Sequence, residues 1–508
     1  MATRIALEVD GRAVEVDDDG ASLLEVLRDR LGLRGPKDGC SPQGQCGCCT
    51  VLVDGAPRVA CVTPVRRVAG RRITTVDGLP GEVRDRWADA FVATGGSQCG
   101  FCTPGIVCRL AGGEPAGRDA VDKALAAHLC RCTGWQTIVE AVEHVGTPGP
   151  VRDLDAAGRR ATLEGGVPQQ VGPEVVLGGG GFADDTAPAD ALVAVPDGAG
   201  GWGVGETLAE ARAAAGKVQG RRTTAPPTHP IDVPTGDWVR TLRTGWVEPA
   251  YLETDASWCA PGGEPASPLG NGGAFGGKAT SIAPAAARRL ADEHGRPVRV
   301  LLSREDTVRL GPKRPPLAAG LRADGTGEVV VARTPGIAEA IASVAPGLVV
   351  TEVDVPGPPT SADLRAAGWA EAAVLRAGLA GDPTVTITSP AGATATATVG
   401  ESIRITVSCG EPLDEVVLRS YCIGAAHMAL GWVTSEGLYV DDEGEVHDLT
   451  IRSFGIVRPS AMPPVEVEVV PSDGPPVNGS DAVFAAVAAS AWIGQGCPQD
   501  WPTGGTSS

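Results

Sequence analysis

Positive charge is in short supply in this 508-residue chain: 43 lysines and arginines face 62 aspartates and glutamates, a formal net charge of -19. Such a surface repels phosphate backbones, so nucleic acid is not an expected partner. Histidine is scarce too. The six present (His128, His144, His229, His294, His427 and His447) lack H-x3-H or H-E-x2-H spacing, and no Gly-x-Ser-x-Gly elbow follows a clear strand, which argues against a serine hydrolase. The first residues, Met1 to Asp10, show no basic and apolar leader, and the longest apolar run, around Ala482 to Ile493, is too short to span a bilayer. The expectation is a soluble, cytoplasmic protein without a membrane partner. Cysteine is nearly absent from most of the chain, with four in the last 376 residues, yet ten of the 14 lie between Cys40 and Cys132. In a reducing compartment these are poor disulfide candidates, so the first 132 residues use thiolates for another purpose.

The residues that are there divide the chain. Ile5 to Val16 alternates and breaks at Asp10-Gly11, a hairpin signal. Ser22 precedes Leu23, Leu24, Leu27 and Leu31, a helical stripe closed by Gly32. Thr50 to Val53 and Arg58 to Val62 flank Asp54-Gly55 as a second hairpin, and Arg72 to Val76 reads as a last strand. Residues 1–77 are therefore expected to form a small mixed sheet crossed by one helix. From 82 to 147 the period becomes helical, with Val83, Trp87 and Phe91 on one face and Ile138, Val139, Val142 and Val145 on another. The Pro/Gly run from Gly146 and the polar stretch to Gly166 predict a linker over 148–166. Beyond it come shorter α and β segments, strand-rich stretches at Thr384 to Val407 and Leu449 to Val470, an Ala-rich helix around Ile423 to Trp432, and a frayed tail over 494–508. The fold class expected is α+β, in several domains.

The cysteines fall into two groups. Cys40, Cys46, Cys49 and Cys61 give C-x5-C-x2-C-x11-C, three thiols on a Gly-rich loop and a fourth on the returning hairpin, close to plant-type ferredoxin spacing. Cys48 is left out, because adjacent side chains diverge and Cys49 keeps the x2 spacing. The second group pairs Cys99-x2-Cys102 with Cys130-x-Cys132, both pairs at expected helix starts, where the N-terminal potential favours thiolates. A four-cysteine zinc site is the alternative for each group. One wide loop and a C-x-C pair fit a diiron cluster better than the C-x2-C pairs of zinc ribbons. Cys48, Cys108, Cys259, Cys409, Cys422 and Cys497 are expected to be buried thiols without a metal.

Three motifs then identify a family: Gly44-Gln45-Cys46-Gly47-x-Cys49-Thr50, Gln98-Cys99-Gly100-Phe101-Cys102-Thr103-Pro104-Gly105 and Leu129-Cys130-Arg131-Cys132-Thr133-Gly134. With them, residues 1 to about 147 resemble the two-cluster iron-sulfur subunit or domain of the xanthine dehydrogenase and aldehyde oxidase family of molybdenum hydroxylases. The resemblance implies a β-grasp ferredoxin domain and a helical bundle, each with one 2Fe-2S cluster, and it puts Gln98 against the pterin of a molybdopterin cofactor. Two departures are visible: Cys48 stands where the family usually has Ala, and 27 residues separate Cys102 from Cys130, a few fewer than usual.

The rest resembles a shortened molybdopterin-binding portion, with a hammerhead-like segment over 167–225 and the remainder over 226–493. The Gly-rich run Gly270 to Lys278, including Gly272, Gly273, Ala274, Phe275, Gly276 and Gly277, resembles the loop that touches the cofactor through backbone N-H groups, and Glu248 to Glu253, Arg296 to Val300 and Ser303 to Asp306 flank it. The family's general-base Glu has no counterpart: Asp473-Gly474-Pro475-Pro476 puts Gly474 at its position, and no catalytic residue is assigned. A flavin-binding segment is missing. The function implied is electron transfer through two clusters in a molybdenum-hydroxylase system, with a flavin-binding subunit and a further molybdenum subunit as partners. The alternative is a non-catalytic electron carrier or assembly partner whose C-terminal region is a degenerate scaffold.

Overall fold

The computed structural model describes residues 4–149, 151–216, 225–268 and 280–504. The opening hairpin pairs β1 (Arg4–Val9) with β2 (Arg12–Asp17), and β3 (Thr50–Val53), β4 (Ala56–Val59) and β5 (Arg72–Thr74) complete a mixed sheet in the order β2-β1-β5-β3-β4. Alternation does this: Ile5, Leu7 and Val9 face the core while their neighbours face solvent. The expected crossing helix is a short α1 (Leu23–Glu25), capped by Ser22, that continues as a π turn over Val26–Arg30. Four helices follow: α2 (Gly81–Thr94), α3 (Thr103–Ala111), α4 (Arg118–Leu125) and α5 (Gln136–His144).

The predicted linker is a helix. In α6 (Leu154–Gly165) Asp153 caps the N-terminus, and Arg160 and Glu164 pair at 3.0 Å with both side chains buried. Its inner face is built from alanines and this ion pair rather than from large apolar residues, which is why its composition reads as polar. Short helices α7 (Pro173–Val176) and α8 (Ala183–Thr186) lead into β6 (Leu192–Pro196), β7 (Trp202–Gly205) and α9 (Leu208–Ala214). After β8 (Arg240–Thr244), the strands β9 (Ala256–Cys259) and β10 (Val298–Leu301), joined through α10 (Ala283–His294), close a four-stranded sheet β7-β6-β10-β9 with its own small core.

Then α11 (Arg304–Leu310), opened by a Ser303–Asp306 capping box, leads to β11 (Leu317–Leu321), β12 (Gly327–Ala332), α12 (Ile337–Val344), β13 (Leu348–Val353) and α13 (Trp369–Ala380). The last sheet runs β14-β15-β16-β17 (Thr384–Thr388, Thr394–Val399, Ile403–Ser408, Val465–Val469) against α14 (Glu415–Thr434) and α15 (Ser480–Gly494). Of the stretch from Leu449 to Val470 only β17 is a strand; Ile451 and Phe454 are buried from turns. By length and composition alone α14 could cross a membrane, but 83% of its apolar window is buried inside the protein. It is the central core helix.

As far as Gly504 the tail is docked rather than frayed. The strand β18 (Asp500–Trp501) pairs with β8 and completes the sheet β13-β12-β11-β8-β18. The Trp501 ring, 1% exposed, meets Trp432 edge-on at 4.6 Å, and its carbonyl lies 2.7 Å from His229 Nε2. One anchored indole outweighs the Thr and Gly that follow it.

Candidate iron-sulfur centres and their surroundings

The loop between the π turn and β3 carries Cys40, Cys46 and Cys49, and Cys61 follows β4; all four are at most 4% exposed. Their thiols meet in a run: Cys40 touches Cys46 and Cys61, and Cys61 also touches Cys49. Hydrogen bonds from Cys46 and Cys61 hold the Cys40 thiol well below the usual range, and the bond with Cys40 pushes Cys46 and Cys61 up. Backbone N-H groups also point at sulfur, Gln45 N to Cys40 Sγ at 3.5 Å and Cys61 N to Cys49 Sγ at 3.4 Å. Cys48 is fully buried but turns to Cys46, with its Sγ 3.9 Å from the Cys46 carbonyl.

The second group forms where α3 begins and where the segment before α5 returns to it. Cys102 is the N-cap residue of α3. Cys99 and Cys132 lie 3.4 Å apart, sulfur to sulfur, and Cys102 touches Cys130. The Cys130 thiol is lowered to about 7, chiefly by the bond with Cys102 and then by Thr133, whose Oγ1 is 3.1 Å away. Each motif thus contributes one thiol to each pair. Among the described residues no three His, Cys, Asp or Glu side chains are placed to hold a single metal ion. Two iron atoms of a diiron cluster take one thiolate pair each, which the Cys99–Cys132 and Cys102–Cys130 pairs fit.

The two groups are locked together. The Cys46 carbonyl accepts from Leu129 N at 2.9 Å, and Leu129 directly precedes Cys130. A Cβ on Gly105, in the first turn of α3, would lie 2.5 Å from the Gly47 carbonyl, so only glycine allows the helix this close to the first loop. Gly424 does the same for α14, since a Cβ there would overlap the Cys132 carbonyl.

Gln98 uses both amide hydrogens, donating to Cys132 O at 3.0 Å and Ser420 Oγ at 2.9 Å. The crevice beside it, lined among others by Ser97, Arg152 and Tyr421, has room for about one water, whereas cofactor pockets span about 300 Å³ or more. Buried cations nearby are already matched: Arg131 with Glu436, Arg314 with Glu371 at 2.8 Å, Arg152 with Asp414 and Arg304 with Glu248. Gly272, Gly273, Ala274, Phe275, Gly276 and Gly277 lie outside the described residues. Gly474 is exposed with open space around it, and Asp481 is held by Arg365 at 3.0 Å.

Sequence reasoning missed the clamps that bind the two cysteine groups to distant residues. Gln43 donates to Glu305 at 2.8 Å and to Leu449 O at 3.0 Å, and Arg131 reaches Glu436 Oε2 at 2.7 Å. No local pattern marks such pairs, since their partners lie some 260 to 400 residues away.

Two family models match, a 2Fe-2S iron-sulfur cluster binding domain over residues 7–66 and a [2Fe-2S] binding domain over residues 75–143. The nicotine 6-hydroxylase small subunit of Paenarthrobacter nicotinovorans is 40% identical over 152 residues, 29% of this chain and 90% of that protein. The aldehyde oxidoreductase of Megalodesulfovibrio gigas is 44% identical over 133 residues, 25% of this chain but only 15% of that protein. In three dimensions the chain resembles the aldehyde oxidoreductase of Desulfovibrio gigas, with a TM-score of 0.69 and 14% identity, covering 97% of each chain. That likeness shows a common fold over nearly the whole length. With two 2Fe-2S domains, a relative covered over nine tenths of its length and this architecture, the chain belongs to the xanthine dehydrogenase and aldehyde oxidase family of molybdenum hydroxylases, as an electron-transferring oxidoreductase component.

Proposed function

We propose that the chain carries electrons one at a time between two 2Fe-2S clusters, one held by Cys99, Cys102, Cys130 and Cys132 and the other by Cys40, Cys46, Cys49 and Cys61. The observation that carries the reading is the contact of eight thiols in two buried sets, the second paired between its two motifs, joined by the Leu129 N-H to Cys46 carbonyl bond. Each cluster, when bound, accepts and releases a single electron. The protein's own groups exclude water, donate N-H bonds to sulfur and fix the separation of the two sets.

The second set is the entry side and the first the exit, toward a flavin-binding subunit, with a molybdenum subunit as a further partner. Support comes from the small-subunit status of the Paenarthrobacter relative. All fourteen cysteines are free, which suits a reducing compartment such as the cytoplasm. With Gly474 in place of a carboxylate and Asp481 engaged by Arg365, neither of these two positions supplies a base for hydroxylation.

Iron, labile sulfide and molybdenum analysis tests this, with about four irons and about four sulfides per chain expected. Stoichiometric zinc without labile sulfide, from iron-replete cells, would overturn the cluster reading. Dithionite is expected to reduce both clusters without aldehyde or purine hydroxylation by the isolated chain. Turnover by that chain, abolished on removing molybdenum, would overturn the assignment to electron transfer alone.

A further inference from the structure

Cys48 is the one cysteine of the first loop that the cluster reading leaves unused. It is fully buried, its thiol meets the Cys46 thiol, and Cys40 and Cys49 of the first set and Cys99 and Cys102 of the second all lie within its electrostatic reach. It therefore sits on the side of the first set that faces the second. The backbone fixes it there. Lys37 N donates to the Cys48 carbonyl at 3.2 Å, and a Cβ on Gly105, in the first turn of α3, would lie 2.7 Å from that same carbonyl.

The sulfurs of the first set are not equally supplied with donors. Cys40 receives the Gln45 N-H at 3.5 Å and Cys49 the Cys61 N-H at 3.4 Å. Cys46 Sγ has no backbone donor among the described residues, and its partners are the thiols of Cys40 and Cys48. With iron bound, Cys40 and Cys46 are both thiolates and neither has a proton to give. Cys48, which is no ligand, keeps its own, as a thiol does at neutral pH. Its S-H can turn to the Cys46 sulfur or to the Cys46 carbonyl, 3.9 Å away. The thiolate is the stronger acceptor because it is charged.

We propose that Cys48 is a positioning residue that acts through Cys46: its S-H donates to the Cys46 thiolate and eases the entry of an electron into the first cluster. The inference rests on the assignment of Cys40, Cys46, Cys49 and Cys61 as the ligands of that cluster. A donor on a ligand sulfur stabilises the negative charge that reduction adds, and hydrogen bonds to sulfur are among the levers that set a cluster's potential. The proton stays on Cys48 throughout, and no bond to it is made or broken. Removing the donor leaves all four ligands in place and makes the cluster harder to reduce.

The test is a redox titration of the full-length, cluster-loaded protein, followed by the EPR signal of each cluster, with iron and labile sulfide counted first. Too little of either for two clusters in the unaltered protein would overturn the ligand assignment itself, and the proposal with it. Cys48→Ala should keep both clusters but disfavour reduction of the first about tenfold, a fall of about 59 mV for one electron, while the potential of the second stays in place. Cys48→Ser supplies a donor of similar size and should bring the first cluster back. Cys108→Ala removes an equally buried thiol, in α3, whose charged neighbours are Asp10 and Asp77, and should move neither potential. An unchanged potential in Cys48→Ala would put the S-H on the carbonyl and overturn the proposal. So would equal shifts in the Ala and Ser variants, which would make the effect one of packing, or loss of the first cluster in Cys48→Ala, which would make Cys48 a ligand.

Discussion

The iron-sulfur part and the region after it hold their shape by different means. In the first, thiols, glycines and backbone N-H groups converge on two buried points, and the sequence is 40 to 44% identical to relatives over 133 and 152 residues. In the second, sheets packed on α14 and α15 are pinned by buried ion pairs, and the fold match that includes this region spans 97% of the chain at 14% identity overall. A metal site specifies residue type at each ligand and close approach. A scaffold requires apolar residues on the right faces and tolerates exchange among them.

The sharpest way to break this contrast is to touch the ligands. Cys102→Ser should remove one cluster, so that iron falls from about four to about two per chain and one EPR signal disappears. Cys422→Ala, at an equally buried thiol of α14, should leave iron unchanged. Equal iron in both variants would erase the distinction between the two regions.

Next in size is the pair that ties the regions together. Arg131 and Glu436 are 2% and 0% exposed, and removing one partner strands a buried charge, so Arg131→Ala should cost about 3 to 5 kcal/mol in denaturant unfolding. A change below about 1 kcal/mol would mean the regions are held by packing alone.

Acid gives a smaller effect confined to the scaffold. His427 in α14 is kept neutral by burial, its pKa lowered to about 4, while Nε2 lies 2.9 Å from Val457 O. The unfolded chain binds the proton near 6.5 and the folded chain only near 4. Stability is therefore complete above about 6.5 and falls by up to about 3 kcal/mol as pH drops toward 4. His427→Gln should flatten that slope in pH-dependent melts.

Least disturbing is Cys48→Ala, because Cys48 packs against Cys46 without meeting Cys40 or Cys61. Iron content should stay the same, whereas Cys49→Ser should lose or disturb the first cluster's signal.

Against this contrast, what could be read from sequence follows a physical line. The hairpins at Asp10-Gly11 and Asp54-Gly55 were legible because each depends on neighbours in the chain, and the two 2Fe-2S domains because each cysteine motif is a short stretch. The helix over 154–165 escaped because its buried face is alanine with an Arg160–Glu164 pair, and the tail escaped because a single residue, Trp501, anchors it. Gln43, Arg131 and Gln98 show the same limit, as their partners Glu305, Glu436 and Ser420 are set by tertiary packing alone.

The contact between Gly424 and the Cys132 carbonyl also bears on how the molecule is built. With α14 seated there, the second set of thiols is covered before iron or sulfide could reach it. Assembly must then be ordered in time, with cofactor insertion first and closure of the C-terminal helix afterwards. A chain made without iron is expected to keep Glu415–Thr434 open to protease, and loading the clusters should close it.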